Sequence, residues 1–220
     1  LIGHSMGAMA VQSYGIEYPG DVDGIVSNGG GIFMNPWGRS TQYPQTIVAD
    51  NLTEKERNAS PALTKKLPLE SMTSYQSKLL PKALKDRRNF TAPSVTAASR
   101  TVRVKNPLSN GVCTDQTVVD DYVADPLNNK DFTVGMVEQM SVAQVYNAVN
   151  APDFTTPTLI MHGQSDGIAP PYLDINWLNA IGSNDKTGYE WSGLMHEIFN
   201  EPVKDQPINK VVDWINNHNK

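Results

Sequence analysis

Leu1-Ile2-Gly3-His4-Ser5-Met6-Gly7 is the stretch that decides the fold, and Ser5 is its centre. Gly-x-Ser-x-Gly directly after an apolar pair reads as a nucleophile elbow, in which a strand turns sharply into a helix and lifts the serine hydroxyl above the sheet edge. Ser5 is expected at a strained backbone angle with strand and helix pressed together, so Gly3 and Gly7 are read as positions that cannot carry bulky side chains. The run from Met6 to Tyr18 is helix-compatible and Pro19-Gly20 stops it, which gives the required order of strand, serine and helix.

A serine hydroxyl is a poor nucleophile at neutral pH, so this reading demands a histidine base and an acid that orients it, following in the order Ser, Asp or Glu, His. Both are in place. Thr158-Leu-Ile-Met-His-Gly163 is an apolar strand, and Gln164-Ser165-Asp166-Gly167 turns off its end, which puts Asp166 where the acid belongs. Further on, Gly193-Leu-Met-His196 follows the strand-like Gly188-Tyr-Glu-Trp191 and places His196 on a loop at a strand end. The other histidines read differently. His4 packs or hydrogen-bonds beneath the elbow, since neighbouring side chains on a strand point apart. His162 is structural and His218 is solvated in the tail. Glu197 takes a structural hydrogen bond or a capping role, and Asp174, on a helix, is a poorer acid than Asp166.

Composition sets the outer bounds. The chain has 220 residues, 39% hydrophobic and 19% charged, and a net charge of −5, which fits a soluble globular protein of one or two domains and leaves no basic footprint for nucleic acid. The single cysteine, Cys113, cannot form an internal disulfide, so a cytoplasmic protein, at most peripheral at a membrane, is expected. No apolar run approaches the roughly twenty residues needed to span a bilayer. Three sequons, at Asn51, Asn58 and Asn89, read as chance. No grouping of His, Cys or Asp has metal-ligand spacing, and the chemistry needs neither metal nor cofactor.

Taken in order, Val22 to Asn28 is the next parallel strand and Gly29-Gly30-Gly31 its exit. From Ile32 to about Val149 the βα alternation stops. Leu52 to Arg88 has helical spacing punctuated by Leu79-Leu80-Pro81 and Ala92-Pro93, and Thr117–Tyr122 and Thr133–Asn150 are helical again. This predicts a mostly helical cap inserted over a pocket. The βα pattern resumes at Thr158, with helices from about Tyr172 to Ile181 and Gln206 to Asn217, the latter turning Ile208, Val211, Val212, Trp214 and Ile215 toward the sheet. The expected fold class is α/β, a mostly parallel sheet with helices on both faces. Core is expected at residues 1–31 and 151–220, and the cap at 32–150. Ile32, Phe33, Met34, Trp37, Met136 and Met140 either line an acyl-chain channel or form the cap core.

Gly-His-Ser-Met-Gly at 3 to 7, His162-Gly-x-x-Asp166 and Met195-His196-Glu-Ile-Phe-Asn-Glu201 resemble the nucleophile, acid and base motifs of the α/β-hydrolase superfamily, specifically its monoacylglycerol lipase and lysophospholipase (serine aminopeptidase S33-type) group. The cap segments Asn106-Pro-Leu-Ser through Asp125-Pro126-Leu127 and Phe132-Thr-Val-Gly135 are similar to bacterial members, so the resemblance covers essentially the whole chain. It implies a cofactor-independent serine hydrolase acting through an acyl-enzyme on a small lipid ester, monoacylglycerol or lysophospholipid, with transient membrane-surface contact through the cap rim. Alternatives are a small-molecule carboxylesterase, a prolyl-type aminopeptidase with Asp120, Asp121 or Asp125 anchoring the substrate amine, or a catalytically silent interaction protein of the same fold. Members of the group carry about four further strands before the elbow and a second oxyanion donor on a loop there. The expectation is therefore that this sequence is the C-terminal two-thirds of an enzyme and folds poorly alone. Only the Met6 backbone N–H can be assigned to the oxyanion hole, and one missing donor costs about 2.7 to 4 kcal/mol.

Overall fold

The computed structural model describes residues 1–38, 42–57, 69–106 and 112–219. Among these, five parallel strands form a sheet in the order β1-β2-β6-β7-β3, with β1 at Ile2–His4, β2 at Ile25–Asn28, β3 at Gln45–Val48, β6 at Thr158–Gly163 and β7 at Lys186–Ser192. The central strands β2 and β6 are buried along their whole length. Parallel strands with both faces covered need apolar side chains on both, and Ile25-Val and Leu159-Ile-Met supply them. Period-two alternation then sorts the residues. Ile25 and Ile160 face a core with Ile16 of helix α1 (Met6–Glu17), Trp177 and Leu178 of α7 (Tyr172–Ala180), and Phe154. Val26, Leu159 and Met161 face the other core, with Trp191, Leu194, Ile198 and Val211 of α8 (Asp205–His218). The fold is α/β, a parallel sheet with helices packed on both faces.

Between β2 and β6 lie α2 (Glu54–Arg57), α3 (Leu69–Asp86), α4 (Ala97–Thr101), α5 (Gln116–Ala124) and α6 (Val134–Asn150). Thr133 caps α6 by accepting the Met136 N–H, satisfying one of the donors a helix start leaves free. Helix α3 packs on α6 through Ala83, Val142, Val145 and Val149. Buried polar bonds tie α6 to α1, Ser13 Oγ to Asn147 Oδ1 at 2.7 Å and Asn147 Nδ2 to Met9 O at 2.9 Å.

Several expectations are corrected here. Among the described residues of 32–150, three short strands accompany the helices: β3 joins the main sheet beside β7, and β4 (Arg103–Lys105) pairs antiparallel with β5 (Asp131–Thr133). Pro81 does not punctuate the helical stretch but sits inside α3, because tertiary packing outweighs the lost backbone bond. Of the five α8 side chains expected to face the sheet, Val211 is buried and Trp214 half-buried, whereas Ile208, Val212 and Ile215 are exposed. His218 is not simply solvated. It stacks on Trp214 with ring centroids 4.1 Å apart, and its Nδ1 lies 2.7 Å from Trp214 O. The sequon at Asn58 and most of the Asn106-Pro-Leu-Ser stretch lie outside the described residues.

Candidate active site

The elbow is built as its sequence requires. Strand β1 ends at His4, α1 begins at Met6, and Ser5 between them has φ 55° and ψ −119°, a conformation L-residues adopt only when their surroundings impose it. What imposes it is backbone contact: Ser5 N–H donates to Asn28 O on β2 at 2.9 Å, while Ser5 O accepts from Ala8 and Met9. Ser5 makes no side-chain cap bond to its own helix, so its hydroxyl is not spent as an N-cap. A Cβ on Gly3 would lie 2.3 Å from Gly7 O, so this glycine is a steric necessity. Gly7 is not, since a Cβ there would meet nothing within 4 Å, which corrects the symmetrical expectation for the two glycines. The Met6 N–H is at the first position of α1, where the helix's own ladder leaves donors unused.

The residues expected as acid and base meet directly. Asp166 stands on the turn after β6 and His196 on the loop after β7. His196 Nδ1 lies 2.7 Å from Asp166 Oδ2, and both side chains are almost wholly buried. The other carboxylate oxygen, Oδ1, accepts the N–H groups of Ile168 and Ala169 at 2.8 and 2.9 Å. Burial alone would push the Asp166 carboxyl up, but hydrogen bonds from His162 and His196 outweigh it and hold the group below the usual carboxylate range. With Asp166 ionised and accepting, the His196 proton is fixed on Nδ1, and Nε2 on the opposite side of the ring has no hydrogen-bond partner among the described residues.

His196 also leans on the other strand ends. Its ring centroid is 4.6 Å from that of His4, and a Cβ on Gly29 would lie 3.2 Å from its Cε1. The structure thus gathers the His196 ring, the Asp166 carboxylate and the residue immediately before Ser5 at one end of the sheet. His4 Nδ1 faces Asn28 Nδ2 at 2.7 Å and accepts from it. Burial, reinforced by the nearby His196, lowers the His4 pKa to about 4, so His4 is uncharged at neutral pH.

Two further buried polar side chains brace this region. Glu201, fully buried, accepts the Met195 N–H through Oε1 at 2.7 Å, and through Oε2 the Thr114 N–H at 2.9 Å and the Thr114 hydroxyl. It therefore ties the residue before His196 to the segment leading into α5, and Glu197 N–H to Val112 O at 2.7 Å adds a second tie. A carboxylate within the otherwise largely apolar run from Leu194 to Val203 was the available hint. Glu197 itself accepts from Asn200 Nδ2 at 2.7 Å, a local structural bond. His162 is the second, a buried ring between Asp166 and Asp174.

The channel residues divide. Ile32 is fully buried in the core with Ile16, Ile25 and Trp177, so it is corrected from channel to core. Trp37 packs on the same cluster, its Nε1 donating to Ala148 O at 2.9 Å. Phe33 packs on the α3–α6 cluster. Met34, Met136 and Met140 are half-buried. Among the described residues no three His, Cys, Asp or Glu side chains are grouped to hold a metal ion, and no helix is long and apolar enough to cross a membrane.

Comparison with known proteins places this geometry. The family model described as serine aminopeptidase, S33, matches residues 1–203. The chain belongs to this family. Within reach of the S33 group, a monoacylglycerol lipase of Mycolicibacterium smegmatis is 25% identical over 219 residues, which is 99% of this chain and 62% of the lipase. An uncharacterised abhydrolase domain-containing protein of Dictyostelium discoideum is 30% identical over 102 residues, 46% of this chain and 11% of that protein. The chain thus spans less than two thirds of either relative. Among solved structures, a monoacylglycerol lipase of Paleococcus ferrophilus matches with a TM-score of 0.66 at 20% identity, over 99% of this chain and 68% of that one. A soluble variant of monoglyceride lipase from Saccharomyces cerevisiae, in complex with a substrate analog, matches at 0.65 and 19% identity, over 100% and 62%. The S33 chain described here thus shares the α/β-hydrolase fold of these two lipases.

Proposed function

We propose that this chain carries the reacting centre of a serine hydrolase that cleaves carboxylic ester bonds of single-chain lipids, monoacylglycerol or lysophospholipid. The observation that carries the reading is the buried 2.7 Å bond from His196 to Asp166, with Nε2 unengaged and Ser5 held at positive φ at the end of β1. His196 Nε2 takes the Ser5 proton as Oγ bonds to the ester carbonyl carbon, and the Met6 N–H donates to the developing oxyanion. On collapse the alcohol leaves with the proton from His196, and water then releases the fatty acid by the same steps. Asp166 keeps the His196 proton on Nδ1 and stabilises the imidazolium. Helices α2 to α6 act as the cap over this centre, with Phe33, Met34, Met136 and Met140 nearest to an acyl-chain role. The lipid substrate class is supported by the names of the mycobacterial, archaeal and yeast relatives.

The test compares fatty-acid release from a monoacylglycerol, a lysophospholipid and a short p-nitrophenyl ester by the natural full-length protein, with Ser5→Ala as control and fluorophosphonate labelling of Ser5 alongside. Higher kcat/KM on a lipid ester with an inert Ser5→Ala variant is the expected result. Cleavage of the short ester alone makes the protein a general esterase, and turnover of an amino-terminal peptide bond makes it an aminopeptidase. No labelling of the folded protein removes the enzyme reading altogether.

A further inference from the structure

His162 is a buried, titratable side chain that the mechanism above does not use. It stands one residue before the end of β6, 2% exposed, with both ring nitrogens engaged. Nδ1 lies 2.6 Å from Asp174 Oδ2 on α7. Nε2 lies 2.7 Å from the Ala169 carbonyl oxygen and 3.2 Å from Asp166 Oδ2, the oxygen that faces His196. A carbonyl oxygen only accepts, so Nε2 carries a proton, and a carboxylate only accepts, so Nδ1 carries one too. This arrangement describes an imidazolium clamped between two buried carboxylates.

We propose that His162 is a positioning residue for the Ser5, His196 and Asp166 centre: its cation holds the Asp166 carboxylate in line with His196 and offsets part of that carboxylate's negative field. The proposal rests on the reading of those three residues given above. Ala169 makes the clamp rigid, because its N–H donates to Asp166 Oδ1 while its carbonyl accepts from His162. One peptide unit and one imidazole thereby fix both oxygens of the acid. The field at His162 also includes Glu190, its register partner on β7, and the more distant His196 and His4. Burial by itself would strip the proton from His162, but the hydrogen bonds and charges of Asp166 and Asp174 prevail and raise its pKa to about 10. The cation therefore persists throughout the range in which an ester hydrolase is assayed.

Removing that cation leaves Asp166 more negative as seen from His196 and favours the protonated base. In the natural full-length protein, His162→Gln should move the acidic limb of the kcat/KM profile up by about one pH unit, as the loss of one compensating charge implies. Asp174→Asn removes a buried negative charge while Asp166 still holds the cation, so it should move the same limb down. A residue needed only for folding would lower the active fraction in both variants without moving the limb. Opposite displacements support the proposal, and a limb that stays put in both overturns it. If His162→Gln does not fold, Asp174→Asn alone decides by the same criterion. Ser5→Ala and His196→Ala run in parallel: retained hydrolysis in them removes the underlying reading and the proposal with it, whereas inert controls with an unmoved limb remove the proposal only.

Discussion

Gly163 is the last residue of β6, and the loop that carries His196 lies directly across it. A Cβ at this position would sit 1.9 Å from Met195 O and 2.6 Å from Leu194 O. Both are backbone atoms, so no side chain can swing aside. A carbon and a carbonyl oxygen rest comfortably at about 3.3 Å, so Gly163→Ala forces the Met195 carbonyl back by roughly 1.4 Å. That carbonyl belongs to the residue preceding His196, and Ser165 N–H to Leu194 O at 2.8 Å, which ties the acid's turn to the base loop, is strained by the same displacement. The His196 to Asp166 bond, 2.7 Å long, cannot survive a relative shift of that size. A misplacement near 1 Å at a reacting centre costs about 10²-fold in rate, and overpacking costs about 1 to 3 kcal/mol in stability. The expected result is a protein that still melts cooperatively but labels with fluorophosphonate and turns over ester about a hundredfold more slowly. Gly163→Ala with wild-type labelling and turnover would refute the reasoning, because it would mean the base loop can ride on the end of β6 without cost.

Three further outcomes are expected. Gly3→Ala should destabilise the chain, since its Cβ meets Gly7 O at 2.3 Å, whereas Gly7→Ala, within α1, should be neutral or stabilising by up to about 1 kcal/mol; chemical denaturation giving equal losses for both counts against this. Folded His162 keeps its proton up to about pH 10 while an unfolded histidine releases it near pH 6.5, so the folded state binds more protons between these values. The histidine's contribution, of the order of a few kcal/mol, is thus complete below about pH 6.5 and fades as pH rises toward 10; urea melts at pH 6, 8 and 10 should show the decline in wild type and its attenuation in His162→Gln, and parallel curves would contradict it. Glu201→Gln and Thr114→Val should each cost about 1 to 3 kcal/mol and be non-additive when combined, because both disrupt the bond from the Thr114 hydroxyl to the Glu201 carboxylate; a double-mutant cycle with no coupling would show that Thr114 and Glu201 act separately.

How much of this was legible in the chain follows from how local each determinant is. The elbow, the strand Thr158–Gly163 with its following turn and the His196 loop are each specified within about ten residues by glycines, apolar runs and turn residues, so their order could be read directly. Strand β3 could not. Gln45-Thr-Ile-Val is four residues long and mostly exposed, and it becomes a strand only because β7, some 140 residues on, offers an edge. Pro81 obeys a local rule that packing on α6 overrides. Ile32 looked like the first cap residue because it follows three glycines. Gly31, at φ 85°, instead presses the chain against α7, where Ile32 N–H donates to Leu173 O at 3.0 Å and the side chain drops into the core. His218 was readable in principle, since Trp214 stands four residues earlier on the same helix face.

The buried histidines show why this centre needs the ends of four strands. His196 originates in the loop after β7, bonds to the turn after β6, rests against Gly29 after β2 and lies 4.6 Å from the His4 ring at the end of β1. In an open parallel sheet these ends converge only where the C-terminal edges of neighbouring strands meet. Two further imidazoles in so small a volume would normally compete with His196 for its proton, yet their environments separate them. His4 accepts from Asn28 in a desolvated site with a pKa lowered to about 4, and His162 gives both its protons to acceptors with a pKa raised to about 10. One is therefore held neutral and the other held charged across the physiological range. Of the three, only His196 has a ring nitrogen that is buried and without a hydrogen-bond partner among the described residues, which is where the proposed mechanism places its base.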